Sequence, residues 1–154
     1  MNKIDTLHPL IRSEVAELVH KVNTEILTGS VKMLVTQGLR TFEEQAKLYM
    51  QRPKVTNANA GQSIHNYGLA FDFCLVDGKK TIWETNKDFD ADKQPDWMEV
   101  VKVFKDAGYK WGGDFKSITD KPHFEKTFGK TWQHLLWLKN NGNTEKGYVI
   151  IEKK

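Results

Sequence analysis

Two histidines and several carboxylates in this chain stand at spacings that suit a metal site. They fall in two groups, Ser63-Ile-His65-Asn-Tyr-Gly68-Leu-Ala70-Phe-Asp72 and Asp120-Lys-Pro-His123-Phe-Glu125. His65 and Asp72 are seven positions apart, an odd separation that a straight strand sends to opposite faces. The chain must bend between them, and Gly68 supplies the bend because it tolerates backbone angles closed to other residues. In the second group Pro122 argues against an interior helical turn, so the arrangement is not the helical His-Glu-x-x-His site. His123 and Glu125 are expected on one face of a strand, with Asp120 on the loop before it. Two imidazoles and one carboxylate make a three-ligand set for catalytic zinc that leaves a fourth position open. The same donors also occur in the facial site of iron(II) oxygenases. That site, however, usually places its first His and acid one residue apart, which His65 and Asp72 are not.

The elements that must position these residues follow from periodicity and punctuation. Apolar residues at Leu10, Ile11, Val15, Leu18, Val19, Val22 and Ile26 predict an amphipathic helix after Pro9 that ends near Gly29. Residues 31–36 read as a strand, and Thr41-Phe-Glu-Glu44 has the capping-box form of a second helix running to about Gln51. Arg40 thus sits at a strand-to-helix junction. Residues 52–63 read as a loop leading to His65, and residues 69–76 as a strand with Ala70, Asp72 and Cys74 on one face. Asp77-Gly78 is a hairpin turn signal before a partner strand at 80–83, which implies antiparallel pairing. Asp96-Trp-Met-Glu99 is expected to cap a third helix ending at Gly108. Short strands at 109–111 and 121–126, a helix at 131–139 and an edge strand or simple tail at 147–154 complete the pattern. The fold class is α+β, a small antiparallel sheet flanked by helices with the metal site on the sheet.

The chain has 154 residues, enough for one compact domain that buries its own core, and a single domain over 1–154 is expected. The net charge of +3 arises from 23 basic and 20 acidic residues spread along the chain, without the basic block of a nucleic-acid arm. Cys74 is the single cysteine, so neither an intramolecular disulfide nor a thiolate cluster is open to this chain. Residues 1–10 lack the basic start and apolar stretch of a secretory signal, and no segment approaches a membrane span. The acidic stretch 84–95 reads as an exposed loop. A calcium reading of Asp88 to Asp96 is set aside because the glycine and terminal Glu spacing of an EF-hand loop are judged to be lacking. His8, His20 and His134 receive no role.

The joint pattern Ser-x-His-x-x-Gly-x-Ala-x-Asp with a later Asp-x-x-His-x-Glu resembles the zinc D,D-carboxypeptidases and L-alanyl-D-glutamate endopeptidases that cut peptidoglycan stems, phage endolysins among them. Gly38-Leu-Arg40-Thr, Gln45 and Trp111-Gly-Gly-Asp114 add to the resemblance. It implies a Zn2+ held by His65, Asp72 and His123, with Asp120 as the catalytic carboxylate and Arg40 facing the substrate. It also implies peptidoglycan as the partner and an endolysin-like protein. Asp rather than Glu at position 120 and the compact chain look like the endopeptidase side of the family.

Physical roles can be written beside that resemblance. Zinc lowers the pKa of water and polarises a carbonyl. Asp120 is placed to take and return a proton, and Arg40 to bind a developing oxyanion or a substrate carboxylate. Glu125 is expected to orient a ligand imidazole. Ser63, Gln45 and Trp111 are expected to touch substrate. A monomer is expected, with no nucleic-acid partner and no membrane insertion. Too few residues follow Lys139 for a separate wall-binding domain, and release to the wall is expected to need a holin or other aid. The alternatives are a D-Ala-D-Ala carboxypeptidase and, in another class, a zinc-containing wall-binding module without catalysis.

Overall fold

A computed structural model describes residues 2–152 of the protein. After a 3-10 turn at Lys3–Thr6, helix α1 spans Pro9–Lys21 and widens into a π turn at Val22–Ile26, so the predicted single helix ends in a different geometry. Strand β1 covers Lys32–Gln37 and helix α2 covers Phe42–Met50. Thr41 caps α2 in the expected box: its hydroxyl accepts from Glu44 N–H while the Glu44 carboxylate accepts from Thr41 N–H. A long loop and a 3-10 turn at Ile64–Tyr67 lead to β2, Ala70–Asp77, which turns back as β3, Lys80–Ile82. Helix α3 is Asp96–Asp106, β4 is Lys110–Trp111 and β5 is His123–Glu125. Helix α4, Trp132–Asn140, is capped by Thr131, and a small hairpin of β6, Thr144–Glu145, and β7, Tyr148–Val149, stands apart from the main sheet. The expected edge strand at the C-terminus is therefore one arm of this hairpin, with residues 153 and 154 outside the described range.

One expectation fails at α3. Asp96 does not cap it: Pro95 occupies the cap position without a side-chain bond, and the Asp96 carboxylate turns back to accept from Phe89 N–H.

The main sheet is antiparallel in the order β1-β2-β5-β4, with β3 pairing the far half of β2 beyond the reach of β5. Its inner face carries Phe71, Phe73 and Phe124, which meet Trp97 and Phe104 of α3 and Tyr109 with ring centroids 4.4 to 6.1 Å apart. Such offset and edge contacts suit aromatic quadrupoles and add to the burial of large apolar area. Helix α1 is tied in through Glu14, whose carboxylate accepts from Tyr109 and Lys126. With α3 closing the aromatic face, the opposite face of β2 and β5 is left to the polar residues Asp72, His123 and Glu125. Among the described residues no helix is long and apolar enough to cross a membrane.

Candidate metal centre and active site

Strand register brings two of the three expected ligands together. Asp72 on β2 and His123 on β5 are direct partners across the antiparallel ladder, and Ala70 pairs with Glu125 two residues along the same face. Opposed residues point to the same side, so Asp72 and His123 meet while the small Ala70 leaves room for Glu125 beside them. His65 arrives from outside the sheet on the 3-10 turn. Ser63 caps that turn by accepting from His65 N–H, and Gly68 ends it in the left-handed conformation at φ 71°. Gly68 also passes so close to the chain at His8 that an added Cβ would lie 2.7 Å from the His8 nitrogen. The bend read from sequence is thus made by the glycine expected to make it.

His65 Nε2, Asp72 Oδ1 and His123 Nδ1 form a near-equilateral triangle with sides of 3.2, 3.2 and 3.3 Å. A tetrahedral zinc at about 2.0 to 2.1 Å from its ligands needs such donors about 3.3 Å apart. The outer partners fix the tautomers. His65 Nδ1 lies 3.1 Å from the Gly38 carbonyl, which can only accept, so this nitrogen carries hydrogen and Nε2 turns a lone pair inward. His123 Nε2 donates to Glu125 Oε1 at 2.8 Å, which leaves Nδ1 as the inward atom. Orientation of each imidazole by a carbonyl or carboxylate is the usual support of a metal-binding histidine. The donor set therefore fits Zn2+, and Glu125 stands where it was expected.

Charge is balanced in the same direction. Burial alone would raise the Asp72 carboxyl, yet the two imidazoles beside it, His123 and His65, hold it well below the usual carboxylate range. Burial would lower His123, but Asp72 and Glu125 on either side raise it to about 9, so the two carboxylates favour a positive charge at this point, which a bound metal ion would supply.

Asp120 lies just outside the triangle, its Oδ2 3.9 Å from His123 Nδ1 and its side chain 49 % exposed. Burial and the neighbouring charge of Asp72 raise its carboxyl above the ordinary value, against the pull of His123, His65 and Arg40. The turn that carries it is held at every peptide. Asp120 N–H donates to Gly112 O, Asp120 O accepts from His123 N–H, and Pro122 O accepts from Phe73 N–H. The Lys121 carbonyl accepts from two indoles, Trp111 at 2.7 Å and Trp97 at 3.3 Å. Gly112 must be glycine here, since a Cβ would lie 2.0 Å from Asp120 O. Trp111, expected against substrate, is buried and anchors this turn.

Arg40 is held rigidly at the end of β1. Its Nη2 donates to Gln37 Oε1 at 2.7 Å and its Nη1 to Gln45 Oε1 at 2.9 Å, while Nε is buried without a partner. Gln45, also expected to face substrate, is 0 % exposed, and its amide nitrogen is taken by Ala58 O. It serves Arg40 instead. Two residues in this network are absent from the sequence reading. Gln37 stands beside Asp72 after a bulge in β1. Asn66 accepts from Gly61 and Ser63 N–H and donates to the Arg40 carbonyl, linking the His65 turn to the arginine. A Ser-x-x-Asn variant of the capping box is the signal that could have found Asn66. A groove of about 720 Å3 between α1 and α3, lined by Leu18, Met98 and Val103, contains none of these residues.

Comparison with known proteins agrees with this geometry. The profile of a family described as D-alanyl-D-alanine carboxypeptidase matches residues 56–126, the span from the loop before His65 to the end of β5. The chain is 40 % identical over 126 residues to the peptidoglycan L-alanyl-D-glutamate endopeptidase CwlK of Bacillus subtilis, covering 77 % of this chain and 72 % of that protein. It is 29 % identical over 116 residues to the L-alanyl-D-glutamate peptidase of Listeria phage A118, covering 67 % of this chain and 36 % of that longer protein. The fold is similar to that of the Serratia marcescens L-Ala D-Glu endopeptidase ChiX, with a TM-score of 0.56 at 23 % identity over 82 % of this chain and 84 % of that one. On these grounds the chain belongs to the D,D-carboxypeptidase and L-alanyl-D-glutamate endopeptidase family of peptidoglycan peptidases.

Proposed function

We propose that this chain is a zinc metallopeptidase that hydrolyses the L-Ala to D-Glu amide bond of peptidoglycan stem peptides, as a single catalytic domain acting as a monomer. We further propose that it works as an endolysin in host cell lysis, with the cell wall as its site of action. The observation that carries the reading is the 3.2 to 3.3 Å triangle of inward-facing donors with the half-exposed Asp120 carboxylate beside it. Zinc held there by His65, Asp72 and His123 supplies Lewis acidity, bringing the pKa of water toward neutrality and polarising a carbonyl. Asp120 takes the proton from the attacking water and returns it to the leaving amine. Its raised carboxyl is the better base for that duty. Arg40, immobilised by Gln37 and Gln45, meets the negative charge that develops on the scissile carbonyl oxygen or a carboxylate of the stem peptide. Ser63 and Gln45 act through His65 and Arg40.

The specific bond rests on the names of the relatives, two of which are L-alanyl-D-glutamate peptidases. The family's description favours a second reading, removal of D-Ala by a carboxypeptidase. Mass spectrometry of peptidoglycan digested with and without chelator separates the two. New D-Glu amino termini that vanish with chelator are expected. Free D-Ala without new D-Glu termini would replace the endopeptidase by the carboxypeptidase, and an absence of any product from zinc-loaded protein would leave only a binding module.

A further inference from the structure

A second cluster of carboxylates lies in the chain between Asp72 and His123, in the loop that leads into α3. One oxygen from each of Asp88, Asp90 and Asp96 lie within 4.8 Å of one another, and so do one from each of Asp90, Asp92 and Glu99. Among the described residues none of these five carboxylates forms an ion pair with Lys, Arg or His. Asp96 is 1 % exposed, and its Oδ2 has no hydrogen-bond partner; buried oxygens of Asp90 and Glu99 are equally without one. A buried carboxylate oxygen with neither a donor nor a cation is costly, and the two triads, which share Asp90, call for a positive ligand. Burial, a hydrogen bond shared with Asp92 and the charges of Asp90, Asp92 and Asp96 push the Glu99 carboxyl up to about 8.

The spacing identifies the cation, and it corrects the dismissal of calcium made from sequence. Counting Asp88 as the first residue, Asp90 is third, Asp92 fifth, Asp96 ninth and Glu99 twelfth. Those are the side-chain positions of an EF-hand loop, with the terminal Glu in its place and the seventh residue, Gln94, offering a backbone carbonyl. Only the glycine of the sixth position is missing. Lys93 stands there and nevertheless adopts the glycine-like conformation at φ 72°. Its N–H donates to Asp88 Oδ2 and that of Gln94 to Asp92 Oδ1, so the loop is already wound about its carboxylates.

We propose that Asp88, Asp90, Asp92, Asp96 and Glu99 form a calcium site, an EF-hand-type loop with α3 as its exit helix, separate from the zinc centre. All-oxygen donors with so many carboxylates suit Ca2+ rather than Mg2+, which keeps its waters and a strict octahedron. A cation here ties three parts of the molecule together. Asp90 also accepts from the N–H and hydroxyl of Thr28 in the loop before β1, and Trp97, next to Asp96, donates to the Lys121 carbonyl of the catalytic turn.

The test uses the full zinc-loaded chain in buffer freed of other divalent ions, titrated with Ca2+ by calorimetry and thermal melting. One Ca2+ per chain is expected, with Tm raised by roughly 5 to 10 °C at a concentration a hundredfold above the dissociation constant. Tb3+ in place of Ca2+ is expected to emit when tryptophan is excited, since Trp97 lies within the loop. Glu99→Gln keeps size and relieves repulsion, so it folds; it is expected to lose the Tm shift and at least tenfold in affinity while retaining its zinc. Asp88→Asn, at an exposed position, is expected to do the same. Absence of bound Ca2+ at millimolar concentration, an equal response to Mg2+, or a wild-type shift in Glu99→Gln would each overturn the assignment.

Discussion

Replacing Asp120 by Asn asks whether holding the metal and hydrolysing the peptide are separable. The amide has nearly the same shape, and the backbone bonds of residue 120 to Gly112 and His123 are untouched by it. The carboxylate lies 3.9 Å from His123 Nδ1 with about half its surface in solvent, and it takes no part in the 3.2 to 3.3 Å triangle. Stability should therefore change by no more than about 0.5 kcal/mol. The sign should favour the variant, because a like charge beside Asp72 is removed. Loss of a general base costs about 10²- to 10⁴-fold in rate, which at about 1.36 kcal/mol per tenfold is roughly 3 to 5 kcal/mol of transition-state stabilisation. The assay pairs kcat on a stem-peptide substrate with zinc content by atomic absorption and with Tm. One zinc per chain, an unshifted melt and a hundredfold or greater fall in kcat are expected. Retention of kcat within tenfold would remove Asp120 from the chemistry, and loss of zinc together with activity would make it a ligand.

Three further outcomes follow from the same geometry. Glu125→Gln exchanges the carboxylate that His123 Nε2 bonds at 2.8 Å for a weaker acceptor, and zinc affinity measured against a chromophoric chelator should fall about 10- to 100-fold; an unchanged affinity would refute the orienting role. Gly112→Ala places a Cβ 2.0 Å from Asp120 O and 2.9 Å from His123 Cβ, so the turn must move; a loss of about 1 to 3 kcal/mol in stability and a clear fall in kcat are expected, and a wild-type kcat would show the turn to be free to shift. His8 caps α1 by accepting Leu10 N–H at Nδ1 and donates from Nε2 to Val149 O. Burial lowers its pKa below 6.5 despite the Val149 bond, so the folded state prefers it neutral; that contribution is complete above about pH 6.5 and is lost as pH falls through the lower folded value. The Tm of His8→Asn, which still caps but does not titrate, should be lower at pH 8 and less sensitive to acid, and an acid slope equal to that of the parent would discard the assignment.

Much of the His65, Asp72 and His123 cluster was legible because its logic is local or strictly periodic. The capping box at Thr41, the bend at Gly68 and the shared strand face of His123 and Glu125 each depend on a few neighbouring residues, and all three stand as read. The pairing of Asp72 with His123 depends on strand register, which the two short apolar patterns imply without stating which residues oppose. Gln45 and Trp111 were misplaced for a different reason. A polar residue on a short amphipathic helix is ordinarily turned to water, and only the tertiary structure shows that the Gln45 carboxamide is fully enclosed between Arg40 and Ala58. The widening of α1 after Lys21 leaves the apolar period almost intact and so carries no signal. Calcium is set aside in the sequence for want of the glycine and the terminal Glu, yet Lys93 adopts the left-handed conformation at φ 72° and Glu99 stands twelfth from Asp88.

The ladder that sets Asp72 against His123 joins residues 51 positions apart in the chain. Their spacing is inherited from backbone pairing, whereas a small zinc finger acquires its shape only as its ion arrives. Pairing across so long a loop carries a closure cost that the rest of the sheet must offset. The geometry of the cluster thus belongs to the fold itself, and the spacing of its donors already suits an ion of zinc's size.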